Sequence, residues 1–202
     1  MSKKILLATH NLHKIEEIAA ILKKLAIDLV SLADFPDLPE VEEDGKTFAQ
    51  NALKKARVGS IFSGFTCLSD DSGLVVKALK GEPGVYSARY AGLHASDAAN
   101  NKKLLAQLRG IPAAERQASF ICCLALVNPA GQTQIFTGTV NGEISSQPRG
   151  KQGFGYDPLF IPQGYQSTFG EMPAELKNHI SHRTQAIAKL VEFLRQHSDF
   201  VV

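Results

Sequence analysis

The sequence predicts an α/β protein with at least some parallel strand pairing, and three observations support that prediction. Near the N-terminus, a short apolar run, a segment with helical apolar spacing and a second apolar run follow one another within residues 4–32. A strand–helix–strand order of this kind brings two strands together in parallel. Further on, residues 117–127 are apolar on both faces, which is typical of a strand inside a sheet. The last segment, about 181–197, has the apolar spacing of a helix.

Composition and charge are those of an ordinary globular protein of 202 residues. The formal net charge is +2, so no bulk electrostatic attraction favours nucleic acid or a membrane, and neither is expected as a partner. No apolar run approaches the ~20 residues that span a bilayer. The cysteines Cys67, Cys122 and Cys123 are odd in number and lie among apolar residues. They are expected to be reduced thiols that pack in the core of a cytoplasmic protein.

The first elements follow from simple patterns. Residues 4–8 are typical of a buried strand, 9–14 form a polar joint, and 27–32 form a second strand. Between them, a helix places five apolar side chains on one face: Ile15, Ile18, Ala19, Leu22 and Leu25. Prolines and acids make 33–46 an acidic loop. Thr47 then caps a helix over about 48–61, whose inward face has Phe48, Ala52 and Ala56.

An unusual pair of acids follows that helix. An apolar lead-in, residues 61–68, ends in Asp70 and Asp71, and Ser72 and Gly73 come next. Two carboxylates at the end of a buried strand are costly unless they are paired or hold a cation. Mg²⁺ would remove that cost, and it usually binds together with phosphates. The alternative is an acidic turn after a strand, and for this stretch alone the turn is favoured.

The second half of the chain alternates clear elements with long loops. Ser96 or Asp97 begins a helix, and residues 117–127 form a central strand. A turn at 128–131 leads to a second hairpin arm over 132–143. Glycines make 148–158 a loop, and an irregular stretch extends to Ile180 before the final helix.

The joint after the first strand is a candidate phosphate site. A strand that leads into a helix offers free backbone N–H groups and the positive end of the helix dipole. Thr9 and Asn11 add side-chain donors, and Lys14 adds a charge. The glycines of a Walker A loop are missing, so a capped helix with a surface lysine remains the alternative.

Acids of the loop at 33–46 are candidate metal ligands. Glu42 and Glu43 are hard donors, and one of them would complete a cation site with Asp71. Lys55, on the following helix, would face the same place. The alternatives are a solvated acidic loop, which is favoured for most of these acids, and a surface lysine.

The glycine-rich loop is a candidate site for a flat ligand. Glycines flank Phe154, and Asp157 is followed by Pro158. Glycine lets a backbone approach a ring closely. Phe154 would stack on that ring, and Asp157 would accept from a sugar hydroxyl or a ring N–H. A flexible loop with Phe154 tucked beneath it is an equally good alternative.

A basic cluster precedes the last helix. With Ser181 as N-cap, His182 and Arg183 would occupy the first turn, where positive charge opposes the helix dipole and favours an anionic or acceptor-rich ligand. A zinc pair of His179 and His182 is disfavoured because no further Cys or His completes it. A plain basic surface is the other alternative. Together with Lys177, these candidates fit a nucleoside polyphosphate with Mg²⁺.

Seven ordered segments resemble the non-canonical purine nucleoside triphosphate pyrophosphatases, the inosine/xanthosine triphosphatase family. They are LATHNLHK (7–14), EEDGKTF (42–48), NALKKA (51–56), SDDSGL (69–74), PGVYSARY (83–90), GFGYDP (153–158) and ISHR (180–183). They extend over most of the chain. One departure is His10, where the family is expected to have a smaller residue, often Gly.

The resemblance implies hydrolysis of inosine, deoxyinosine and xanthosine triphosphates to monophosphate and pyrophosphate, with Mg²⁺ as cofactor and a homodimeric state. It implies a single α/β domain, residues 1–202, with an elongated mixed sheet flanked by helices and two lobes around a substrate cleft. By position, Asp71 would be the proton acceptor and a metal ligand, helped by Glu42 or Glu43. Nucleotide contacts are expected from Thr9, His10, Asn11, Leu12, His13, Lys14, Ser72, Phe154, Gly155, Tyr156, Asp157, Lys177, His182 and Arg183.

A mechanism follows from these assignments. Mg²⁺ would bridge phosphate oxygens and Asp71, Lys14 and Lys55 would offset developing charge, and a water held by Asp70 or Asp71 would attack the α-phosphorus. A carboxylate that binds Mg²⁺ directly is a poorer base, so the division of roles between the two aspartates stays open. Donors from His182, Arg183 or the backbone, aimed at the 6-oxo group, would be left unpaired by adenine, a mismatch that discriminates by ~10⁴-fold.

Two other functions are compatible with the sequence. One is a pyrophosphatase of the related septum-inhibitor (Maf-like) type, which acts on pyrimidine or modified nucleotides. The other is a non-catalytic regulator that binds nucleotides or RNA. Near-neutral charge and the retained acids make the regulator the weaker alternative.

Overall fold

The computed structural model describes residues 3–9, 15, 18–19 and 25–201. The helix expected between Ile15 and Leu25 therefore lies mostly outside the described residues. So do five residues of the expected phosphate joint: His10, Asn11, Leu12, His13 and Lys14.

The described chain forms one six-stranded sheet in the order β2-β1-β3-β4-β5-β6. The strands are β1 (Lys3–Leu7), β2 (Ile27–Ser31), β3 (Thr66–Val76), β4 (Gln117–Val127), β5 (Thr133–Ile144) and β6 (Phe160–Pro162). β1 is parallel to both β2 and β3, and β5 is antiparallel to β6. The α/β class, the parallel N-terminal strands and the mixed sheet are confirmed.

The chain divides into two compact units. The first comprises Met1–Asp71, Cys123–Thr137 and Ala186–Val202, and the second comprises Ser72–Cys122 and Gly138–Gln185. We call them the first and second units and describe each by itself.

The first unit contains β1, β2 and helix α1 (Phe48–Ser63). Thr47 caps α1 as expected, since its side chain accepts a hydrogen bond from Gln50 N at 3.2 Å. The predicted inward face is confirmed, because Phe48, Ala52 and Ala56 are buried. The acidic stretch before the helix is an irregular loop, as predicted, after a single 3₁₀ turn at Leu32–Asp34.

The first residues of the apolar lead-in, 61–68, are helical and do not belong to a strand. α1 continues through Ser63 and ends at Gly64, whose φ of 71° is the left-handed geometry of a helix C-cap. Ile61 is therefore helical, and 84% of its surface is exposed. The strand begins only at Thr66, because the stop signal in this segment is the glycine rather than the apolar run.

The prediction that Asp70 and Asp71 end a strand is wrong. β3 continues through both acids, Ser72 and Gly73 to Val76, so the acids lie in its middle. β3 has neighbours on both sides, β1 and β4, and ladder hydrogen bonds to such neighbours favour extended backbone over a turn. The buried position, which gave the acids their cost, is confirmed: Asp70 is 0% and Asp71 is 7% exposed.

The second unit has its own core around helix α2 (Asp97–Gln107). Ser96 caps α2 by accepting from Ala99 N at 3.2 Å. Phe120, Phe160 and Phe169 form the aromatic centre, and the rings of Phe120 and Phe160 lie 4.7 Å apart between centroids. This packing anchors the loops that follow β5 and β6.

Two helices complete the chain, and one of them was not expected. α3 (Ala174–Ile180) lies within the stretch predicted to be irregular. None of its residues is buried, so it has no apolar periodicity to reveal it. α4 (His182–Gln196) matches the predicted last helix, with Ile187, Leu190 and Leu194 buried.

The three cysteines are free and buried, as predicted. Within residues 3–9, 15, 18–19 and 25–201, no helix is long and apolar enough to cross a membrane.

Candidate active site

The acids of β3 meet α1 in the first unit through alternate residues of the strand. Cys67, Ser69 and Asp71 share one face. A Cβ at Gly59 of α1 would lie 2.5 Å from Cys67 Sγ, so helix and strand approach closely. Ser69 Oγ donates to the carbonyl of Ala52. Asp71 therefore points to the helix side of the sheet, whereas Asp70 belongs to the opposite face.

Asn51 links Asp71 to the acidic loop. Its Nδ2 donates to Asp71 Oδ2 at 2.9 Å, and its Oδ1 accepts from Gly45 N at 2.7 Å. A Cβ at Gly45 would lie only 2.5 Å from Asn51 Oδ1, so this loop position has room for hydrogen alone. Asn51 is 0% exposed, and it fixes both the carboxylate and the end of the acidic loop.

Lys55 lies one helical turn after Asn51. Its Nζ is 2.5 Å from Glu43 Oε1 and 2.5 Å from the backbone oxygen of Asp70. Positions four apart share a helix face, so Asn51 and Lys55 address the same side of β3. The prediction that Lys55 faces the acids agrees with this geometry.

The two glutamates of the loop are placed differently. Glu43 pairs with Lys55, whereas Glu42 is exposed and has no hydrogen bond or ion pair within the described part of the chain. Nearby, Asp44 pairs with Lys54 at 2.7 Å, and that hydrogen bond lowers the pKa of Asp44. The structure thus brings Glu43 to the cluster and leaves Glu42 outside it.

Thr9 follows the end of β1. Ala8 N donates to the carbonyl of Leu68 at 2.8 Å, and the parallel register pairs Leu7 with Leu68. Thr9 N donates to the carbonyl of Leu7 at 3.1 Å, so the chain turns directly after β1. The predicted phosphate joint therefore begins beside β3, the strand that carries the two acids.

The second unit holds the predicted aromatic loop. Phe154 is 36% exposed, so its ring is not tucked beneath the loop. Lys177 Nζ lies 4.8 Å and Arg183 Cζ 5.7 Å from the centre of this ring. Both distances are within the range of cation–π attraction. A flat aromatic surface with two cations beside it suits an electron-rich ring that has acceptor groups.

Asp157 holds this loop from within. Its Oδ2 accepts from Phe154 N at 2.8 Å and from Lys177 Nζ at 2.5 Å. Gly153 has a φ of 76°, and a Cβ there would lie 2.0 Å from the same oxygen. Burial raises the pKa of Asp157, although the charges of Lys177 and Arg183 and the Phe154 N–H act in the opposite direction. Asp157 therefore shapes the loop itself.

Other predicted contact residues point into the packing of the second unit. Tyr156 is buried, and its hydroxyl donates to the carbonyl of Ser87 at 2.8 Å. Burial raises the pKa of Tyr156 far above its usual value. The ring of His182 stacks on Phe120 with a centroid distance of 4.9 Å. Arg183 is buried beside Phe154, and Ser72 is half-buried on β3.

Sequence reasoning missed several side chains that shape these groups, among them Asn51 and Asp97. Asn51 had a signal, since it precedes Lys55 by four residues on one helix. Asp97, whose Oδ2 accepts from Gly155 N at 2.6 Å, had none. An acid in the first turn of a helix is already explained by the helix dipole.

Comparison with known proteins identifies the family. Residues 5–193 match the Ham1 family. The chain belongs to the Ham1 family. The resemblance noted in the sequence is thereby confirmed, and as a Ham1 member the chain is an enzyme of the hydrolase class.

Named relatives cover nearly the whole chain. A dITP/XTP pyrophosphatase from Geobacter sulfurreducens is 54% identical over 191 residues, which are 95% of this chain and 96% of the relative. One from Desulforamulus reducens is 49% identical over 96% of each chain.

Solved structures of the Ham1 family show the same fold. A HAM1 protein from Coxiella burnetii superposes with a TM-score of 0.91 at 41% identity, over 96% of this chain and 99% of its own. The Ham1 protein of Staphylococcus aureus gives 0.90 at 40% identity, over 96% and 100%.

Proposed function

We propose that this protein hydrolyses deaminated purine nucleoside triphosphates, those of deoxyinosine, inosine and xanthosine, to the monophosphate and pyrophosphate, and so removes them from the nucleotide pool. The main support is the 54% identity, over 95% of the chain, to a relative named dITP/XTP pyrophosphatase. The geometry of each unit is compatible with a part of this chemistry.

The proposal includes Mg²⁺. No group of three or more His, Cys, Asp or Glu side chains suited to a metal occurs within the described residues. Mg²⁺ usually takes one or two carboxylates together with substrate phosphates. Asp71 and Glu43, held from Asn51 and Lys55, fit such a shared site better than a cage made by protein alone. When bound, the ion would neutralise phosphate oxygens and make the α-phosphorus more electrophilic.

The chain's own residues supply the remaining roles in the first unit. Asn51 orients the Asp71 carboxylate, which is the proposed acceptor of a proton from the attacking water. Lys55, beside Asp70 and Glu43, is placed to offset negative charge that develops on phosphate oxygens. Asp70 lies on the other face of β3, so the proton-acceptor role is assigned to Asp71 alone.

In the second unit, the proposed role of Phe154 is to stack on the purine. Arg183, which lies against this ring, would donate to the 6-oxo group that deaminated purines carry. Adenine has an amino donor at that position, so it would leave Arg183 without an acceptor.

Two further features belong to the proposal. We propose a homodimer, which the resemblance to the inosine/xanthosine triphosphatase family implies. Sedimentation velocity tests the dimer. A cytoplasmic location is supported by three buried free thiols, which are typical of reducing compartments.

The proposed activity is tested by measuring pyrophosphate release from dITP, ITP, XTP, ATP, GTP and a pyrimidine triphosphate, with and without Mg²⁺. Asp71→Asn is expected to lower kcat by about 10²–10⁴-fold, because it removes the proton acceptor. Asp44→Asn is the matched control, since this exposed acid pairs only with Lys54 among the described residues. Glu43→Gln should raise the Mg²⁺ concentration that gives half-maximal activity more than Glu42→Gln does.

Three results would contradict the proposal. Equal turnover of ATP and ITP would exclude selection for the 6-oxo group. A preference for the pyrimidine substrate would favour a Maf-like enzyme. Tight binding of dITP without pyrophosphate release would favour a non-catalytic regulator.

A further inference from the structure

Helix α2 holds Gly155, the residue after Phe154, at both of its backbone polar groups. Gly155 N donates to Asp97 Oδ2 at 2.6 Å, and Asn101 Nδ2 donates to Gly155 O at 2.9 Å. All these residues belong to the second unit. Asp97 and Asn101 are four positions apart, so they project from the same face of α2.

The surroundings of Asp97 and Asn101 favour both hydrogen bonds to Gly155. Asp97 lies in the first turn of α2, where the helix dipole favours its negative charge, and the short distance is typical of a charge-assisted bond. Asn101 is only 8% exposed. Burial of an amide is costly without hydrogen bonds, so the bond from Asn101 to Gly155 is important at this position.

The two bonds act on different peptide planes. The N–H of Gly155 belongs to the peptide that joins it to Phe154, and its carbonyl belongs to the peptide that joins it to Tyr156. Gly155 has a φ of 61°, so the chain turns here in the left-handed region. Fixing both planes at such a turn fixes the directions in which Phe154 and Tyr156 leave the backbone.

The same helix also holds a second segment that supports the loop. Asn100 Oδ1 accepts from Ala91 N at 2.8 Å, and Asn100 Nδ2 donates to Ala88 O at 3.1 Å. This segment includes Ser87, whose carbonyl accepts the hydroxyl of Tyr156. Loop, helix and segment therefore form a closed ring of hydrogen bonds.

Two sets of contacts thus fix the position of Phe154. Asp157 accepts a hydrogen bond from the Phe154 N–H, and Asp97 and Asn101 bind Gly155, the residue that follows Phe154. Its ring stays partly exposed beside Lys177 and Arg183. The α2 contacts restrict rotation at Gly155, the residue that follows this ring.

We infer that Asp97 and Asn101 are positioning residues for base recognition: they hold the Gly155 turn so that Phe154 presents its ring to the purine. This inference rests on the proposed function, because it takes Phe154 as the surface that meets the base. In this role the two side chains act through the loop, and they do not bind the polyphosphate. Their loss should weaken binding of the base and leave the affinity for polyphosphate unchanged.

The variants are Asp97→Ala, Asp97→Asn and Asn101→Leu in the full-length protein, with Ser96→Ala as matched control. Ser96 caps the same helix but makes no described contact with the loop, so its variant weakens the helix end without releasing Gly155. Asp97→Ala is expected to raise KM for dITP about tenfold with kcat changed less than about twofold, since a charge-assisted bond is lost. Asp97→Asn, which retains an acceptor, should give an intermediate KM.

Two further measurements separate positioning from general damage. Inorganic tripolyphosphate, used as a competitive inhibitor, should bind the wild type and Asp97→Ala equally. Hydrogen exchange should become faster in the segment that contains Gly155 in Asp97→Ala and Asn101→Leu, but not in Ser96→Ala. A thermal melt confirms that each variant is folded, and Asp97→Asn replaces Asp97→Ala if the latter does not fold.

The inference is overturned if Ser96→Ala raises KM as much as Asp97→Ala, or if tripolyphosphate affinity falls together with dITP affinity. It is also overturned if exchange at Gly155 stays unchanged. Failure of the proposed function looks different, because wild-type protein would then release no pyrophosphate from dITP, while the exchange measurement would still report on the loop.

Discussion

The ion pair between Asp157 and Lys177 shows how a single contact shapes the aromatic loop. The two side chains are 5% and 12% exposed and lie 2.5 Å apart. Asp157 also accepts the Phe154 N–H, so one oxygen organises a backbone and a cation together. At this degree of burial, either charge would be strongly destabilising without the other, because it would have neither water nor a partner to stabilise it.

Replacing Lys177 with methionine should therefore lower the free energy of unfolding by about 3 kcal/mol at neutral pH, because Asp157 is left as an isolated buried carboxylate. Burial already raises the pKa of Asp157, and the loss of Lys177 would raise it further. Between the unfolded pKa of about 4 and the raised folded pKa, the folded protein binds more protons than the unfolded chain. Stability is thus recovered as the pH falls through that window.

Urea unfolding at pH about 7.5 and about 5 measures this effect, and the deficit should be smaller at the lower pH. The double variant Asp157→Asn with Lys177→Met is the control, since it removes the charge as well as its partner. It should be more stable than Lys177→Met at neutral pH. A deficit that does not change with pH would mean that lost packing against Phe154, and not the bare charge, is responsible.

For single residues, the sequence predicted which side chains belong to the candidate site better than it predicted their contacts. Phe154 and Asp157 were identified from their glycine-rich surroundings, but Asp157 was expected to meet a ligand and is bound to Lys177 and Phe154 N. The choice of Glu43 over Glu42 depends on how the loop meets Lys55, which spacing does not specify. Such partners are chosen by tertiary contacts between segments far apart in sequence.

Among the elements, the end of α2 depends on an arginine outside the helix. Arg116 donates from Nε to Ile111 O at 2.9 Å, from Nη2 to Leu108 O at 3.2 Å and from Nη1 to Ser145 O at 3.4 Å. The last carbonyls of a helix have no partner within it, so one guanidinium here satisfies the helix end and joins it to the end of β5.

Arg116→Met should lower the free energy of unfolding by about 2 kcal/mol, since three carbonyls lose a charged donor. For a chain of this length, that corresponds to a fall in Tm of about 4–8 °C, measurable by thermal denaturation. Arg109→Met is the matched control, because Arg109 is exposed and makes no described side-chain bond. An equal fall in Tm in both variants would show that loss of one positive charge, and not loss of the three Arg116 hydrogen bonds, lowers the stability.

Elements with strong periodicity were predicted well, and those without it were not. α1, α2, α4 and β4 follow from apolar spacing and caps. β3 was cut short at Asp70 because acids, serine and glycine are poor strand formers, whereas the neighbours β1 and β4 override that preference. α3 buries no residue, so its sequence has no apolar spacing from which the helix could be predicted.

At the scale of the whole molecule, the three thiols report on both compact units. Cys67 and Cys123 belong to the first unit, and Cys122 belongs to the second. Their exposed fractions are 0%, 5% and 0%, respectively. Burial raises the pKa of Cys67 to about 12, and it also raises the pKa of Cys123. Since the thiolate is the reactive form, the folded protein protects Cys67 and Cys123 by burial and by protonation together, and it protects Cys122 by burial.

The folded protein should therefore leave all three buried thiols unmodified by a chromogenic disulfide reagent at pH about 8, where Cys67, with its pKa of about 12, is ionised only about once in 10⁴ molecules. In guanidinium, three thiols per chain should react. Along a urea titration, Cys122→Ser leaves only the two thiols of the first unit, whereas Cys123→Ser combined with Cys67→Ala leaves only the thiol of the second, so the two proteins together identify which unit opens first. Thr137 Oγ1 lies 3.5 Å from Cys123 Sγ and can accept the serine hydroxyl. Rapid labelling of the native protein would mean that a unit opens locally, contrary to the dense core described here.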